Sequence, residues 1–244
     1  MKKIIYLDNA ATTKVDDEVL VSYENVAKLY FANASSIHRL GVESSTLLEK
    51  ARKQILSYLN LSNEYEVIFT SGATESNNLA IKGYALKYRN RGNHIIVSSI
   101  EHPSVLECAK QLKEQFGFDV SILKVDDKGH VNINDIKNEI RKDTILISVM
   151  HVNNEVGSIQ PIEEIAKLIS EYPKIVFHTD AVQSIGKIKT DFTNVDMITI
   201  SSHKIHGLKG VGCLIKNKKI SLLPLFSGGG QENNERSGTY DLAN

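Results

Sequence analysis

The spacing of apolar residues changes partway along the chain, and the change divides it into two kinds of segment. Val15, Val19, Tyr23, Val26 and Tyr30 recur at helical spacing and predict a first helix. Leu47, Leu48, Ala51, Ile55, Leu56 and Leu59 predict a second amphipathic helix within residues 42–59, after an aperiodic loop over 31–41. From residue 66 onward, short and nearly continuous apolar runs take over. Residues 66–70, 94–97, 120–125, 144–150, 175–178, 197–200 and 211–215 read as strands. Between them lie helical patterns through Leu79, Ile81 and Ala85, after Pro103, over 134–140 and over 161–170. Strands apolar on both faces that alternate with helices predict an α/β fold, a mostly parallel sheet covered on both sides. The run 211–215 is expected near an edge of that sheet. After Pro224 the periodicity stops, and Gly228-Gly229-Gly230 leads into a polar tail with no closing element.

Composition adds boundaries to this picture. The 244 residues, 41% hydrophobic and 24% charged, fit an ordinary globular chain with neither fibrous nor disordered bias. Lys+Arg 29 balances Asp+Glu 29, so no basic field argues for nucleic acid or for an anionic membrane. Cys108 and Cys213 form no close pair, which fits a reducing compartment and a cytoplasmic protein. The apolar stretch Ile4 to Leu7 is too short for a signal core or a membrane span.

Chemistry gathers where strands are expected to end, which is where parallel α/β sheets bind ligands. The run 197–200 breaks into Ser201-Ser202-His203-Lys204. A lysine there reads either as a nucleophile for a carbonyl or as a solvated strand cap. Ser71-Gly72-Ala73-Thr74 turns a strand through glycine into a helix starting near Glu75, either a simple hydroxyl-capped turn or a phosphate site on free N–H groups. It lacks the Lys-Ser/Thr ending of a nucleoside-triphosphate loop. His102 follows another strand, as a polar cap or a proton-handling, ring-stacking imidazole. Asn153-Asn154 follow the next, as turn formers or ligands, and Asp180 and Gln183 follow the run at 175–178. An acid at Asp180 is costly to bury without a cation or a proton. An aldehyde-bearing phosphorylated pyridine accounts for every one of these ends. Lys204 forms the imine, Asp180 pairs with the protonated ring nitrogen and His102 stacks on the ring. Asn154 and Gln183 reach the ring oxygen, and the 72–74 turn takes the phosphate.

The motifs YLDNAATT (6–13), SGATESNN (71–78), EHPSV (101–105), MHVNNEVG (150–157), HTDAVQSIGK (178–187), SSHKIHG (201–207) and GGGQE…RSGT (228–239) follow in a distinctive order. They resemble the cysteine desulfurases, the NifS/IscS-like group of the class V aminotransferase fold. The resemblance implies the large domain of a fold type I transferase that depends on pyridoxal 5′-phosphate (PLP). It further implies a homodimer with a shared active site that takes sulfur from L-cysteine, leaves L-alanine and passes the sulfur to an acceptor protein such as an iron–sulfur cluster assembly scaffold. Residue by residue, Lys204 and His102 would be catalytic. Ala73, Thr74, Ser201 and His203 would bind the phosphate, Asp180 the ring nitrogen, and Asn154 and Gln183 the ring hydroxyl, while Thr239 would reach the phosphate of the partner subunit.

The same resemblance divides the chain into an N-terminal segment, 1–15, and a PLP-binding large domain, 16–244. The family's persulfide-forming cysteine and its substrate-carboxylate arginine lie in a small domain beyond RSGT, so this stretch is expected to bind cofactor without transferring sulfur alone. Cys108, mid-helix, and Cys213, in a strand, read as structural. Ala34 and Leu208 stand where the family usually has proline, and Asn233 where it usually has arginine. A selenocysteine lyase, another class V lyase or transaminase, and a non-catalytic dimerising domain are the competing readings.

Overall fold

A computed structural model describes residues 4–244; residues 1–3, the start of the expected N-terminal segment, lie outside the described residues. Helix α1 (Asp17–Leu29) follows Asp16, whose carboxylate accepts from the Glu18 N–H at 2.9 Å. None of its side chains is fully buried, but Val19 and Val26, on the apolar period that predicted it, are half-buried where the rest of the helix is exposed. Helix α2 (Arg39–Tyr58) begins three residues before the expected position 42, because His38 Nδ1 caps it by accepting from the Gly41 N–H at 3.3 Å.

Seven strands form one sheet: β1 (Tyr65–Thr70), β2 (His94–Ser98), β3 (Asp119–Leu123), β4 (Thr144–Ser148), β5 (Val176–Asp180), β6 (Met197–Ser201) and β7 (Gly212–Asn217). Their spatial order is β1-β7-β6-β5-β4-β2-β3. The pairs β2–β3, β2–β4, β4–β5 and β5–β6 are parallel, and only β7 runs against its neighbours. The expected strand over 211–215 therefore lies one place in from the edge, and it is antiparallel. Only residues 202–211 separate β6 from β7. That connection is too short for a crossover, so the chain can return only antiparallel.

Side-chain alternation along the strands splits the core in two. Ile96, Ile147, Phe177 and Ile198 point to one face, with Ile136 of α6 (Ile133–Glu139) and Ile165 of α7 (Ile162–Ile169). Ile95, Val97, Met197 and Leu214 point to the other. There they meet α3 (Ala73–Asn78), the π turn Leu79–Gly83, α4 (Tyr84–Lys87) and α5 (Pro103–Phe116). Pro103 occupies the first turn of α5, as its missing N–H predicts.

The tail after Pro224 forms one 3₁₀ turn, Glu232–Asn234, and is tied down by charge. Arg52 donates to the buried Glu232 at 2.8 Å, and the buried Lys216 sits 3.0 Å from Glu235. Asn233, one of the departures from the family pattern, has φ 56° and donates to Glu66 at 2.7 Å. Asparagine tolerates that left-handed backbone better than most residues. Among the described residues no helix is long and apolar enough to cross a membrane.

Candidate active site

The parallel strands end along one edge of the sheet, and the residues that follow them surround a cavity of about 720 Å³. Nine of the ten residues nominated from sequence line it: Ala73, Thr74, His102, Asn154, Asp180, Gln183, Ser201, His203 and Lys204. The tenth, Thr239, is exposed and outside it.

Lys204 closes the 3₁₀ turn Ser202–Lys204 that follows β6. Ser202 builds the turn: its hydroxyl donates to the Val211 carbonyl at 3.0 Å and its own carbonyl accepts from the Ile205 and Gly207 N–H groups. The amine of Lys204, half-buried, donates to the carbonyls of Ala10 and, at 2.7 Å, Ala11. The extended N-terminal piece thus forms a wall of the site, anchored where the Thr13 N–H donates to the His203 carbonyl at 2.8 Å. Burial lowers the Lys204 pKa against the opposing pull of Asp180 and Asp8.

Asp180 ends β5 and is 4% exposed. Its oxygens accept from Asn77 Nδ2 at 2.8 Å and from the Val182 N–H at 3.0 Å, and among the described residues no lysine or arginine is bonded to it. Burial raises its pKa; the two hydrogen bonds, and the more distant charges of His102 and Lys204, pull the other way. An acid so placed has room for a cationic partner in the cavity.

The turn before α3 has a backbone only glycine adopts readily, with Gly72 at φ 147°. A Cβ there would meet no protein atom within 4 Å, leaving the turn open to the cavity. Beneath it β7 passes so close that a Cβ at Gly212 would lie 2.7 Å from the Gly72 Cα. The helix begins at Ala73, two residues earlier than expected, which sets the Ala73 and Thr74 N–H groups in a first turn without intrahelical acceptors. Glu75, also in the lining, accepts from the Ser71 N–H at 2.7 Å and from Arg236 Nε at 2.9 Å. Burial alone would raise its pKa, but these bonds bring it below the usual carboxylate value. Nearby, the His203 pKa is lowered by burial and then by the charges of Lys204 and Lys209. A carboxylate already neutralised by arginine, two lysines and free N–H groups make this end of the cavity receptive to an anion.

His102 caps α5, and its Nδ1 lies 2.8 Å from Ser104 Oγ and 3.1 Å from the Ser104 backbone nitrogen. Ser104 Oγ in turn accepts from Asn77 Nδ2 at 2.9 Å. One chain of bonds, buried from Ser104 to Asp180, thus joins the exposed His102 to Asp180. The two amides at 153–154 part company as expected. Asn153 is buried in structural bonds to the Ile100 carbonyl and to the Glu155 and Val156 N–H groups, while Asn154 faces the cavity and donates to Glu155 at 2.7 Å. Gln183 donates to the Ala10 carbonyl at 2.9 Å and accepts from Lys187 at 2.8 Å. Each NH₂ group keeps a second hydrogen for a ligand.

Sequence reasoning missed Asn77, Ser104 and Glu101. Asn77 and Ser104 lie inside quoted motifs, but only packing turns them toward Asp180 and His102. Glu101 is buried at the end of β2, where one oxygen accepts from Ser98 Oγ and, at 2.7 Å, from the Met150 N–H; the other has no partner. Burial pushes its pKa up to about 8. Both thiols are buried and their pKa values are raised by that burial, Cys108 to about 12, as expected of structural cysteines.

The class-V aminotransferase family model matches residues 5–241. A cysteine desulfurase IscS of Dictyoglomus turgidum is 49% identical over 245 residues, covering 100% of this chain and 61% of the relative. Among solved structures, a NifS-like protein superposes with TM-score 0.94 at 40% identity, covering 99% of this chain and 66% of that one. The structure of SspA in complex with cysteine gives TM-score 0.92 at 41% identity, with 98% of this chain and 70% of that one covered. The chain thus spans about three fifths of the length of the curated relatives it matches. Its motifs, its sheet order and these likenesses converge: the chain belongs to the class-V aminotransferase family.

Proposed function

We propose that the cavity at the strand ends binds PLP and that residues 16–244 are the cofactor-binding large domain of a cysteine desulfurase. The carrying observation is the shared lining of one cavity by the Lys204 amine, with its lowered pKa, and the buried Asp180 carboxylate, which no lysine or arginine among the described residues bonds. When bound, the cofactor supplies an aldehyde for a lysine and an electron sink for bonds at the substrate's α-carbon. The protein supplies the rest. Lys204 holds the aldehyde end, released from the Ala10 and Ala11 carbonyls. Asp180 holds the protonated ring nitrogen by charge, while the amides of Asn154 and Gln183 turn their free N–H toward the ring oxygen. His102 would stack on the ring, and Ala73, Thr74, Ser201 and His203 would hold the phosphate.

L-cysteine is the proposed substrate, since the relatives are named cysteine desulfurases and the similar SspA was solved with cysteine. The sulfur-accepting thiol is neither Cys108 nor Cys213, both deep in the core. It is supplied from outside this stretch, as is the partner subunit that Thr239 would serve. A cytoplasmic homodimer that hands sulfur to an acceptor protein completes the reading.

Titration of the purified chain with PLP tests it. We expect the absorbance band of lysine-attached PLP, a borohydride-fixed adduct at Lys204, loss of both in Lys204→Ala, and a spectral shift on adding L-cysteine. Non-covalent binding alone, or an adduct at another lysine in the wild-type chain, would refute the assignment.

A further inference from the structure

The bonds linking His102 to Asp180 determine more than position. We infer that Ser104 and Asn77 are positioning residues that hold the neutral His102 ring with its proton on Nε2, so that it offers the cavity a hydrogen-bond donor rather than a lone pair, while Asn77 orients the Asp180 carboxylate. The cofactor contacts rest on the function proposed above; the tautomer does not.

Donor and acceptor roles leave little freedom. The Ser104 backbone N–H, 3.1 Å from His102 Nδ1, can only donate, so Nδ1 must present its lone pair. Ser104 Oγ, 2.8 Å from the same nitrogen, therefore gives its own proton to Nδ1 as well. Having donated, that hydroxyl oxygen is free to accept, and Asn77 Nδ2 donates to it at 2.9 Å. The second Asn77 N–H points to Asp180 Oδ2 at 2.8 Å. A reversed Asn77 amide would set its oxygen against a carboxylate and against a hydroxyl whose proton is already committed. The bonds therefore have one self-consistent arrangement, donated outward from Asn77 to Asp180 on one side and through Ser104 to Nδ1 on the other, and the ring proton falls to Nε2. Asn77, Asp180 and Ser104 are buried, so water does not compete for the bonds among these three, while the His102 ring is exposed. Asn77 Oδ1 has no partner of its own, which marks the residue as placed for its two donated bonds.

A consequence follows for chemistry at the cavity. In its neutral form His102 can give a proton from Nε2 but has no lone pair there to receive one. A group needing a base at that point has to find it in another residue of the cavity lining.

The measurement is two-bond ¹H–¹⁵N NMR on the full chain, labelled at histidine and free of PLP, with His102 identified by the signals lost in His102→Gln. We expect a protonated Nε2 and a pyridine-type Nδ1. A protonated Nδ1 in the neutral ring would overturn the inference, whatever the outcome of the PLP titration. Ser104→Ala should move the Nδ1 resonance downfield by a few ppm and Ser104→Thr should restore it; an unmoved resonance in Ser104→Ala counts against the hydroxyl's role. Asn77→Ala should raise the Kd for PLP about tenfold, the scale of one hydrogen bond to a charged group. An unchanged Kd in a folded Asn77→Ala chain would remove Asn77 from the Asp180 site. If wild-type protein binds no PLP, the proposed function falls while the tautomer still stands or fails on its own spectrum.

Discussion

Replacing Glu101 by glutamine should make the protein more stable, and increasingly so as pH rises. The carboxyl of Glu101 is buried at the end of β2 with one oxygen engaged by Ser98 and Met150 and the other unpartnered, an arrangement suited to the protonated acid. Burial raises its pKa from 4.5 to about 8. Between those values the unfolded chain has lost the proton and the folded chain keeps it. The folded state then binds more protons, so stability falls as pH rises. Below pH 4.5 both states are protonated and the penalty vanishes; above about 8 it is complete. Across pH 5 to 8 the linkage amounts to about 3.5 kcal/mol, the limiting slope of about 1.36 kcal/mol per unit being reduced near each pKa. Glutamine keeps an acceptor for Ser98 and Met150 and places its NH₂ where the protonated oxygen was, but it does not titrate. Urea unfolding of PLP-free Glu101→Gln and wild type at half-unit pH steps measures the difference. The gap between the two stabilities should widen by roughly 3.5 kcal/mol between pH 5 and pH 8. Parallel stability curves over that range would show that Glu101 is ionised in the folded protein and that its burial has been misjudged.

Gly72→Ala should weaken PLP binding by tenfold or more and cost about 1–3 kcal/mol of stability, because its φ of 147° strains any side chain and the added methyl projects into the cavity; PLP titration and urea unfolding give the two numbers. Lys216→Met should destabilise the chain by about 3–5 kcal/mol, since it strands Glu66 and Glu235 beside a buried position, and the loss should shrink as acid protonates those carboxylates. Neither Cys108 nor Cys213 should react with a thiol reagent in the native protein at neutral pH, whereas both should react in urea; rapid labelling of the folded chain would contradict their burial and raised pKa values.

The sheet of parallel strands with helices on both faces was legible because buried strands and amphipathic helices leave different periods in the sequence. Boundaries shifted where a local bond intervened, as at His38, which starts α2 early, and at Gly72, which lets α3 begin at Ala73. The apolar spacing of α1 predicts the helix and the side it turns inward, since Val19 and Val26 are its half-buried positions, although none of its side chains is fully buried.

Lys204, His102, Asp180 and the 72–74 turn could be singled out from sequence alone, because reactive residues directly after apolar runs stand out against what a strand needs. Their number and order along the chain already implied one shared ligand. What sequence could not supply was the second layer of residues. Asn77 lies in a helix and Ser104 in another, 27 positions apart, and their hydrogen bond exists only because α3 and α5 pack on the same face of the sheet. Likewise Ala10 and Ala11 meet Lys204 across 194 and 193 residues, a contact that no local pattern encodes. Local periodicity determines which elements form and where chemistry surfaces at their ends. Burial, donor direction and proton placement depend on neighbours brought together from distant parts of the chain, and the tertiary structure alone decided them.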